Sequence, residues 1–308
     1  MKASFFSTKK NWRFPSGETS KATASDTITN DRVFTVKHWT EELFQEHPEL
    51  FLGHFDERLK QTPGEIDALI GYLKEQGFRP QRVLDMNCGI GRHAVALAQH
   101  GVQVLGTDIA AHYIQIAADK AREEKLADRA EFRVVDMRQI AAKLAHEPPF
   151  DGIVCLWTSF GFYDDRTNEN ILRDCLRLVK PGGFFALDIV NKDWLLQNYA
   201  EKGFSRNKDW IVLEERRFDL KKSRNHNTWF FLKQTSELVF KLERIIALDH
   251  HVWSLPELMA LFNSTGWQFQ KAYPGFATGF TKRKVSSQSI KSKLSESAML
   301  LVISRRPD

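Results

Sequence analysis

The sequence predicts an α/β protein built on a doubly wound parallel sheet, and three observations carry that expectation. Short apolar runs at 82–85, 102–107, 130–135, 150–157 and 184–190 alternate with amphipathic segments at 92–100, 111–126 and 167–179. Apolar stretches of strand length, separated by segments of helical spacing, describe strands joined by crossover helices. The first three runs each close on an aspartate, Asp85, Asp108 and Asp136. From 203 to 253 the alternation gives way to closely spaced apolar runs around a polar turn at 221–227, which predicts an antiparallel β insertion after the fifth strand.

Taken in order, residues 1–31 are rich in Ser, Thr, Lys and Asn without sustained periodicity and are expected to form a flexible tail. An organelle transit peptide is the alternative, opposed by Glu18 and Asp26. A first helix is expected over 40–52, where His38, Trp39, Phe44, Phe51 and Phe55 are candidates for a lid. Thr62-Pro63-Gly64-Glu65 has the spacing of a capping box opening a second helix. In that helix Ile66, Leu69, Ile70 and Leu73 share one face, and Gly77 marks the end.

The stretch 83–94, Val-Leu-Asp-Met-Asn-Cys-Gly-Ile-Gly-Arg-His-Ala, reads as a buried strand, a glycine turn and a helix start. Glycine lacks a Cβ, so Gly89 and Gly91 permit φ > 0 and a close approach of ligand to backbone. The helix beginning at Arg92 offers unpaired N–H groups to an electron-rich ligand. Turns of this kind occur in dinucleotide-binding and in S-adenosylmethionine-binding folds, and Gly89-x-Gly91-x-x-Ala94 fits the dinucleotide fingerprint. Asp85 favours the second, because a carboxylate at the strand tip attracts a methionyl ammonium and repels a pyrophosphate. Ligands of open parallel sheets sit beyond the carboxyl ends of the strands, so the three aspartates are expected to line one crevice. There Asp108 would accept from ribose hydroxyls and Asp136 from an adenine amine, with Met137 against the ring.

Composition bounds the rest. Hydrophobic residues at 42% and charged residues at 27% describe an ordinary globular chain, not a disordered one. A net charge of +5 and a pI near 9.0 permit nucleic-acid contact without requiring it. Three cysteines, Cys88, Cys155 and Cys175, are too few and too scattered for a disulfide framework or a zinc cluster. No metal ligand set and no membrane span are expected, and the chain is taken as cytoplasmic.

The motif series makes a resemblance specific. Residues 83–94, Val104-x-Gly106-x-Asp108, Asp136-Met137-Arg138, Thr158-Ser159-Phe160-Gly161-Phe162 and Leu178-x-Lys180-Pro181-Gly182-Gly183 together resemble the class I S-adenosylmethionine-dependent methyltransferases, from about Phe55 to the end of the chain. The family usually carries glycine where this chain has Asn87, and asparagine is the next-best residue for left-handed backbone. The resemblance implies a Rossmann-like, seven-stranded sheet with a final antiparallel hairpin, placed here at 267–273 and 298–304. It implies S-adenosylmethionine as cofactor and S-adenosylhomocysteine as product. Cofactor contacts are implied at Asp85, Asn87, Gly89, Gly91, Arg92, Asp108, Ile109, Asp136, Met137 and Trp157. Trp157 and Ser159 would stand where acceptor meets sulfonium, with Trp157, Phe160 and Phe162 facing the cation.

Domain boundaries follow: the tail at 1–31, a methyltransferase domain over 32–202 and 254–308, and the insertion at 203–253. The insertion is expected to wall an acceptor pocket, with Arg216, Arg217, Trp229, His250 or His251 reaching in. His250 is the candidate base, and homodimerisation through the same sheet is the alternative use. Ser254-Leu255-Pro256-Glu257 reads as a second capping box. The Lys- and Ser-rich segment 281–297 is expected to be a solvated loop. A small-molecule acceptor is favoured, because the insertion brings aromatics and a closed pocket; RNA, suggested by the net charge and the basic loop, is the alternative, opposed by the absence from Thr158-Ser159-Phe160-Gly161-Phe162 of the Asn/Asp-Pro-Pro-aromatic pattern of amino-group nucleic-acid enzymes. A non-catalytic S-adenosylmethionine-binding scaffold is the third alternative.

Overall fold

The computed structural model describes residues 37–207, 210–276 and 294–308. The expected tail and most of the expected basic loop lie outside them. Helices α1 (Trp39–Glu41), α2 (Glu49–Leu59) and α3 (Thr62–Glu75) come first, with a π-helical turn, Glu42–Glu46, between α1 and α2. The sheet then begins: β1 (Arg82–Met86), α4 (Arg92–Gln99), β2 (Gln103–Asp108), α5 (Ala111–Glu123) and β3 (Ala130–Val134). Next come α6 (Ile140–Lys143), β4 (Phe150–Cys155), α7 (Asp165–Leu178), β5 (Val179–Val190) and α8 (Lys192–Gln197). The insertion supplies β6 (Lys202–Asn207), β7 (Trp210–Asp219), β8 (Arg224–Ser236) and β9 (Val239–His251). Helix α9 (Leu255–Ser264), β10 (Gln268–Pro274) and β11 (Met299–Arg305) complete the chain.

The seven-stranded sheet has the order β10-β11-β5-β4-β1-β2-β3. Strands β1 to β5 pair in parallel, and β11 runs antiparallel between β5 and β10. Adjacent residues in one strand point to opposite faces, and the two cores show it. Val83 and Phe184 pack under α3 and α4 with Ile66 and Leu69, whereas Leu84 and Phe185 pack with Leu172 and Phe262 of α7 and α9. Strand order reverses between β1 and β4, so the crevice opens above the end of β1, at the glycine turn.

Three local expectations are corrected. The helix expected over 40–52 is broken at His47 and Pro48, because the ring of a proline disfavours helical backbone in the residue before it. Thr62 is the first helical residue and not the cap, and its hydroxyl donates to the Arg58 carbonyl at 3.1 Å. Glu65 does not reach back to close a capping box; its carboxylate is taken by Arg92 and His93. A buried cation without its partner costs several kcal/mol, against about 1 kcal/mol for a cap. The fifth strand begins at Val179, with residues 180–183 absorbed as an irregularity between the pairs Phe150 with Val179 and Gly152 with Phe184. The capping box at Ser254 forms as expected.

The insertion is a separate antiparallel sheet, β6-β7-β8-β9. Its inner face places Val212, Phe231 and Ile246 against Leu43 and Leu50 of the N-terminal helices. On the outer face, Phe204, Leu213, Phe230 and Ile245 stand in register across all four strands. No helix among the described residues is long and apolar enough to cross a membrane.

Candidate functional site

A cavity with an empty volume of about 1110 Å³ lies between the carboxyl ends of the strands and the inner face of the insertion. Its floor is built from Asn87, Cys88 and Gly89 after β1, Asp108 and Ile109 at β2, Asp136 and Met137 after β3, and Leu156 to Ser159 after β4. Trp39, Phe44, Phe51 and Phe55 form one wall and Asn227, Trp229, Leu248 and His250 another. The lid expectation therefore fits four of its five aromatics; His38 faces a neighbouring groove instead. The lid is tied down at several points. The Trp39 indole donates to the Asp249 carbonyl at 3.1 Å, the Tyr113 hydroxyl to the Pro48 carbonyl at 2.8 Å, and Arg138 to Glu41 at 2.7 Å.

The glycine turn has the conformation its residues imply. Asn87, Gly89 and Gly91 have φ of 60°, 55° and 74°. A Cβ on Gly91 would stand 2.6 Å from that of Ala117, and one on Gly89 would stand 2.9 Å from the Phe55 ring. The Asn87 amide donates to the Ser159 carbonyl at 2.7 Å and to the Met137 sulfur at 3.0 Å, joining three of the strand ends. Asp108 accepts from Gly89 N at 2.9 Å through one oxygen and from Ala110 N at 2.9 Å through the other. Burial still raises its carboxyl to about 6. Asp136 also faces the cavity, with its carboxylate held by the Arg138 guanidinium.

Asp85 does not line the cavity. It sits beneath the turn, 1% exposed, with Oδ2 lacking a hydrogen-bond partner among the described residues. Desolvation raises its carboxyl to about 7, opposed by the nearby Arg92 charge. Arg92 is itself buried, donating to Thr62 Oγ at 2.9 Å and pairing with Glu65, while its guanidinium lies 5.3 Å from the Trp157 ring centroid. His93 stands 3.0 Å from the same Glu65 oxygen. Against its burial, hydrogen bonds and charge from His93 and Arg92 hold Glu65 at about 2, and desolvation with the Arg92 charge lowers His93 to about 4. Glu65 and His93 were not anticipated as parts of the site. The capping pattern had given Glu65 another duty, and only its burial facing Arg92 reveals this one.

Trp157 and Thr158 both have left-handed backbone, φ 57° and 60°. For non-glycine residues this costs on the order of 1–3 kcal/mol each. Asp188 on β5, wholly buried, offsets it: its Oδ2 accepts from Trp157 N at 3.2 Å and its carbonyl from Thr158 N at 2.9 Å. The turn sets the Trp157 indole against Phe51 and Phe55, with ring centroids 5.8 and 5.4 Å away. Asp188 also escaped the sequence reading, since one acid inside an apolar strand has no local signature.

Several expected aromatics and cations separate. Phe162 and Ser159 line the cavity, but Phe160 is buried in the core, stacked on Trp253 at 5.5 Å. Its neighbour in sequence takes the other side of the chain. Of the insertion candidates, Trp229 and His250 reach the cavity. His251 points away, because side chains alternate along β9; it pairs with Asp165 at 2.8 Å and stacks on Trp253. Arg216 pairs with Glu214 at 2.5 Å, and neither it nor Arg217 lines the cavity. No cluster of metal-ligating side chains exists among the described residues.

Residues 83–183 match the family described as methyltransferase domain. Residues 83–183 thus carry a methyltransferase domain, set in a seven-stranded sheet of the order given above. The chain is 34% identical over 138 residues to a ubiquinone biosynthesis O-methyltransferase of Leptothrix cholodnii, covering 44% of this chain and 50% of that protein. The chain thus spans about half the length of the curated relatives it matches. Among solved structures, an S-adenosylmethionine-dependent methyltransferase from Clostridium acetobutylicum shares the fold with a TM-score of 0.65 at 14% identity, covering 85% of this chain and 100% of that one. An amino pentose methyltransferase from Micromonospora echinaspora with bound S-adenosylmethionine has a TM-score of 0.54 at 16% identity, covering 86% and 98%.

Proposed function

We propose that this chain transfers a methyl group from S-adenosylmethionine to a small-molecule nucleophile by direct displacement. One observation carries the proposal: a single cavity joins the cofactor-type strand ends to an aromatic wall supplied by the lid and the insertion. The residues fit the cofactor on physical grounds. Asp85, beneath the turn and outside the cavity lining, carries a buried oxygen without a partner among the described residues, whose charge favours an ammonium above it, and Gly89 brings backbone without a side chain to the cavity floor, whereas Gly91 is held by packing against Ala117 and Phe132. Each oxygen of Asp108 keeps a lone pair for a ribose hydroxyl beyond its backbone donors. Asp136, Met137 and Ile109 border the space for adenine, and Arg92 holds the floor beside Asp85.

When bound, S-adenosylmethionine supplies a methyl group on a sulfonium. The chain's own part is alignment and exclusion of water. Trp157, fixed by Asp188, presents a ring face suited to a cation, Ser159 borders the same space, and the lid and insertion enclose the acceptor. Alignment of this kind accounts for effective molarities of roughly 10⁵ to 10⁸ M.

Calorimetric titration with S-adenosylhomocysteine and with NAD, on the wild type and Asp108→Ala, tests the reading. Binding of the first alone, weakened at least tenfold in the variant, is expected. Binding of NAD, or of neither, overturns it.

A further inference from the structure

The acceptor side of the cavity carries polar groups that the cofactor does not use. Asn227 and Trp229 lie two residues apart on β8 and therefore share the inner face, and His250 lies on β9, where it pairs in register with Asn225. Asn227 Oδ1 and Trp229 Nε1 are both buried and lack a hydrogen-bond partner among the described residues. Leaving such groups unpaired costs about 1–3 kcal/mol each, and buried orphans in folded proteins call for an explanation. Both residues line the cavity, so a ligand can satisfy them.

The surroundings restrict that ligand's charge. Burial and the nearby Arg224 charge lower His250 to about 4, so it is neutral at pH 7 and able to accept a proton or a hydrogen bond. Asp136 is engaged by Arg138 and Asp108 by two backbone N–H groups. Both carboxylates are thus already engaged, and among the described residues that line the cavity Arg92 is the arginine, held by Glu65, while Arg224 behind His250 is paired with Asp249. The walls are rings. Phe51 stacks on Trp229 with centroids 6.1 Å apart and planes 2° from parallel, and Trp39 meets Phe162 edge-on at 5.0 Å. Aromatic walls favour a flat apolar body.

We propose that Asn227, Trp229 and His250 form the acceptor-recognition site, and that the acceptor is an uncharged hydroxylated aromatic whose second polar group is read by the Asn227 amide and the Trp229 indole N–H. This rests on the methyltransferase reading above. The hydroxyl lies against His250. As its oxygen bonds the methyl carbon, the carbon–sulfur electron pair is released to sulfur and the hydroxyl proton passes to His250. No oxidant or further reactant enters.

An isosteric pair of probes tests the proposal. 4-Hydroxybenzamide offers a hydroxyl and a neutral amide; 4-hydroxybenzoate has the same shape with a charge. Each is titrated calorimetrically into protein saturated with S-adenosylhomocysteine, using the wild type, Asn227→Ala and Trp229→Phe. The amide is expected to bind at least tenfold tighter than the carboxylate. Each variant is expected to weaken the amide about tenfold, the equivalent of roughly 1.4 kcal/mol, with S-adenosylhomocysteine affinity unchanged. Equal or tighter binding of the carboxylate, unchanged amide binding in both variants, or no binding of either probe to the saturated protein overturns the proposal. Failure of S-adenosylhomocysteine itself to bind overturns the methyltransferase reading instead, so the two failures are distinct. With 4-hydroxybenzamide and S-adenosylmethionine supplied, His250→Gln is expected to lower kcat at least tenfold with KM little changed.

Discussion

The two sides of the cavity solve different electrostatic problems. The cofactor side is a dense set of buried ionisable groups, Glu65, Asp85, Arg92, His93, Asp108 and Asp188, most of them held by each other or by backbone N–H donors. The acceptor side is aromatic, with the Asn227 amide oxygen and the Trp229 indole N–H lacking partners among the described residues. Buried charge makes one side rigid and sensitive to proton binding, whereas an aromatic wall tolerates change and selects ligands by shape and hydrogen bonding. Variants of the cofactor side should therefore move stability and its pH dependence, and variants of the acceptor side should not.

Glu65→Ala gives the largest expected effect. It leaves Arg92 and His93 buried without their shared carboxylate, and urea unfolding at pH 7.5 should show a loss of about 3–5 kcal/mol. A loss below 1 kcal/mol would mean that the cluster relaxes or hydrates, and the comparison fails on that side.

Asp85→Asn should act in the opposite direction. A carboxyl raised from 3.8 to about 7 contributes stability that is complete below pH 3.8 and lost as the pH rises through 7. Removing it should stabilise the ligand-free protein at pH 8 by on the order of 3 kcal/mol, seen as a higher Tm. S-adenosylhomocysteine affinity should fall at least tenfold in the same variant.

Gly91→Ala should cost about 2 kcal/mol, from φ of 74° and a contact at 2.6 Å, and thermal unfolding measures it.

The pH profile sharpens the contrast. His93, lowered to about 4, contributes stability that is lost as the pH falls from 6.5 to 4, and Glu65, lowered to about 2, contributes stability lost between 4.5 and 2. Asp85 and Asp108 oppose this slope between pH 4 and 7. Stability should therefore rise more steeply with pH over 4–7 in Asp85→Asn than in the wild type. The smallest effect belongs to the acceptor side. Asn227→Ala removes an orphaned polar group and should leave ligand-free stability unchanged or raise it by up to about 1 kcal/mol, with the wild-type pH profile.

The turn and the strand ends were legible because their parts are close in sequence, although Asp85 and Gly91, expected as cofactor contacts, lie outside the cavity lining. Asp85, Asn87, Gly89 and Gly91 sit in one strand and turn, and Asp108 and Asp136 each end a strand whose apolar run announces it. What failed there was assignment of partners. Thr62 and Glu65 carry a local pattern for a cap, and burial opposite Arg92 overrode it. Pro48 was visible in the sequence, yet its interruption of the expected 40–52 helix was missed. On the acceptor side the sequence named Trp229 and His250 together with Arg216, Arg217 and His251, without a means of choosing among them. The choice depends on strand register, which shifts by one residue between inner and outer face. Asn227 and Asp188 gave no local sign at all.

The sequence by itself determined the doubly wound sheet, its closing hairpin, the left-handed glycine turn with Asn87 in it, and the presence of an antiparallel insertion. Those follow from periodicity and backbone sterics, which act between near neighbours in the chain. Tertiary structure alone decided that α1 and α2 fold over the strand ends, that Asp188 holds the strained turn at Trp157, and that Asn227, Trp229 and His250 face the cavity. Each of these joins residues far apart in the chain, and which side chain faces which is set by the packing of whole elements, a quantity that no short stretch of sequence contains.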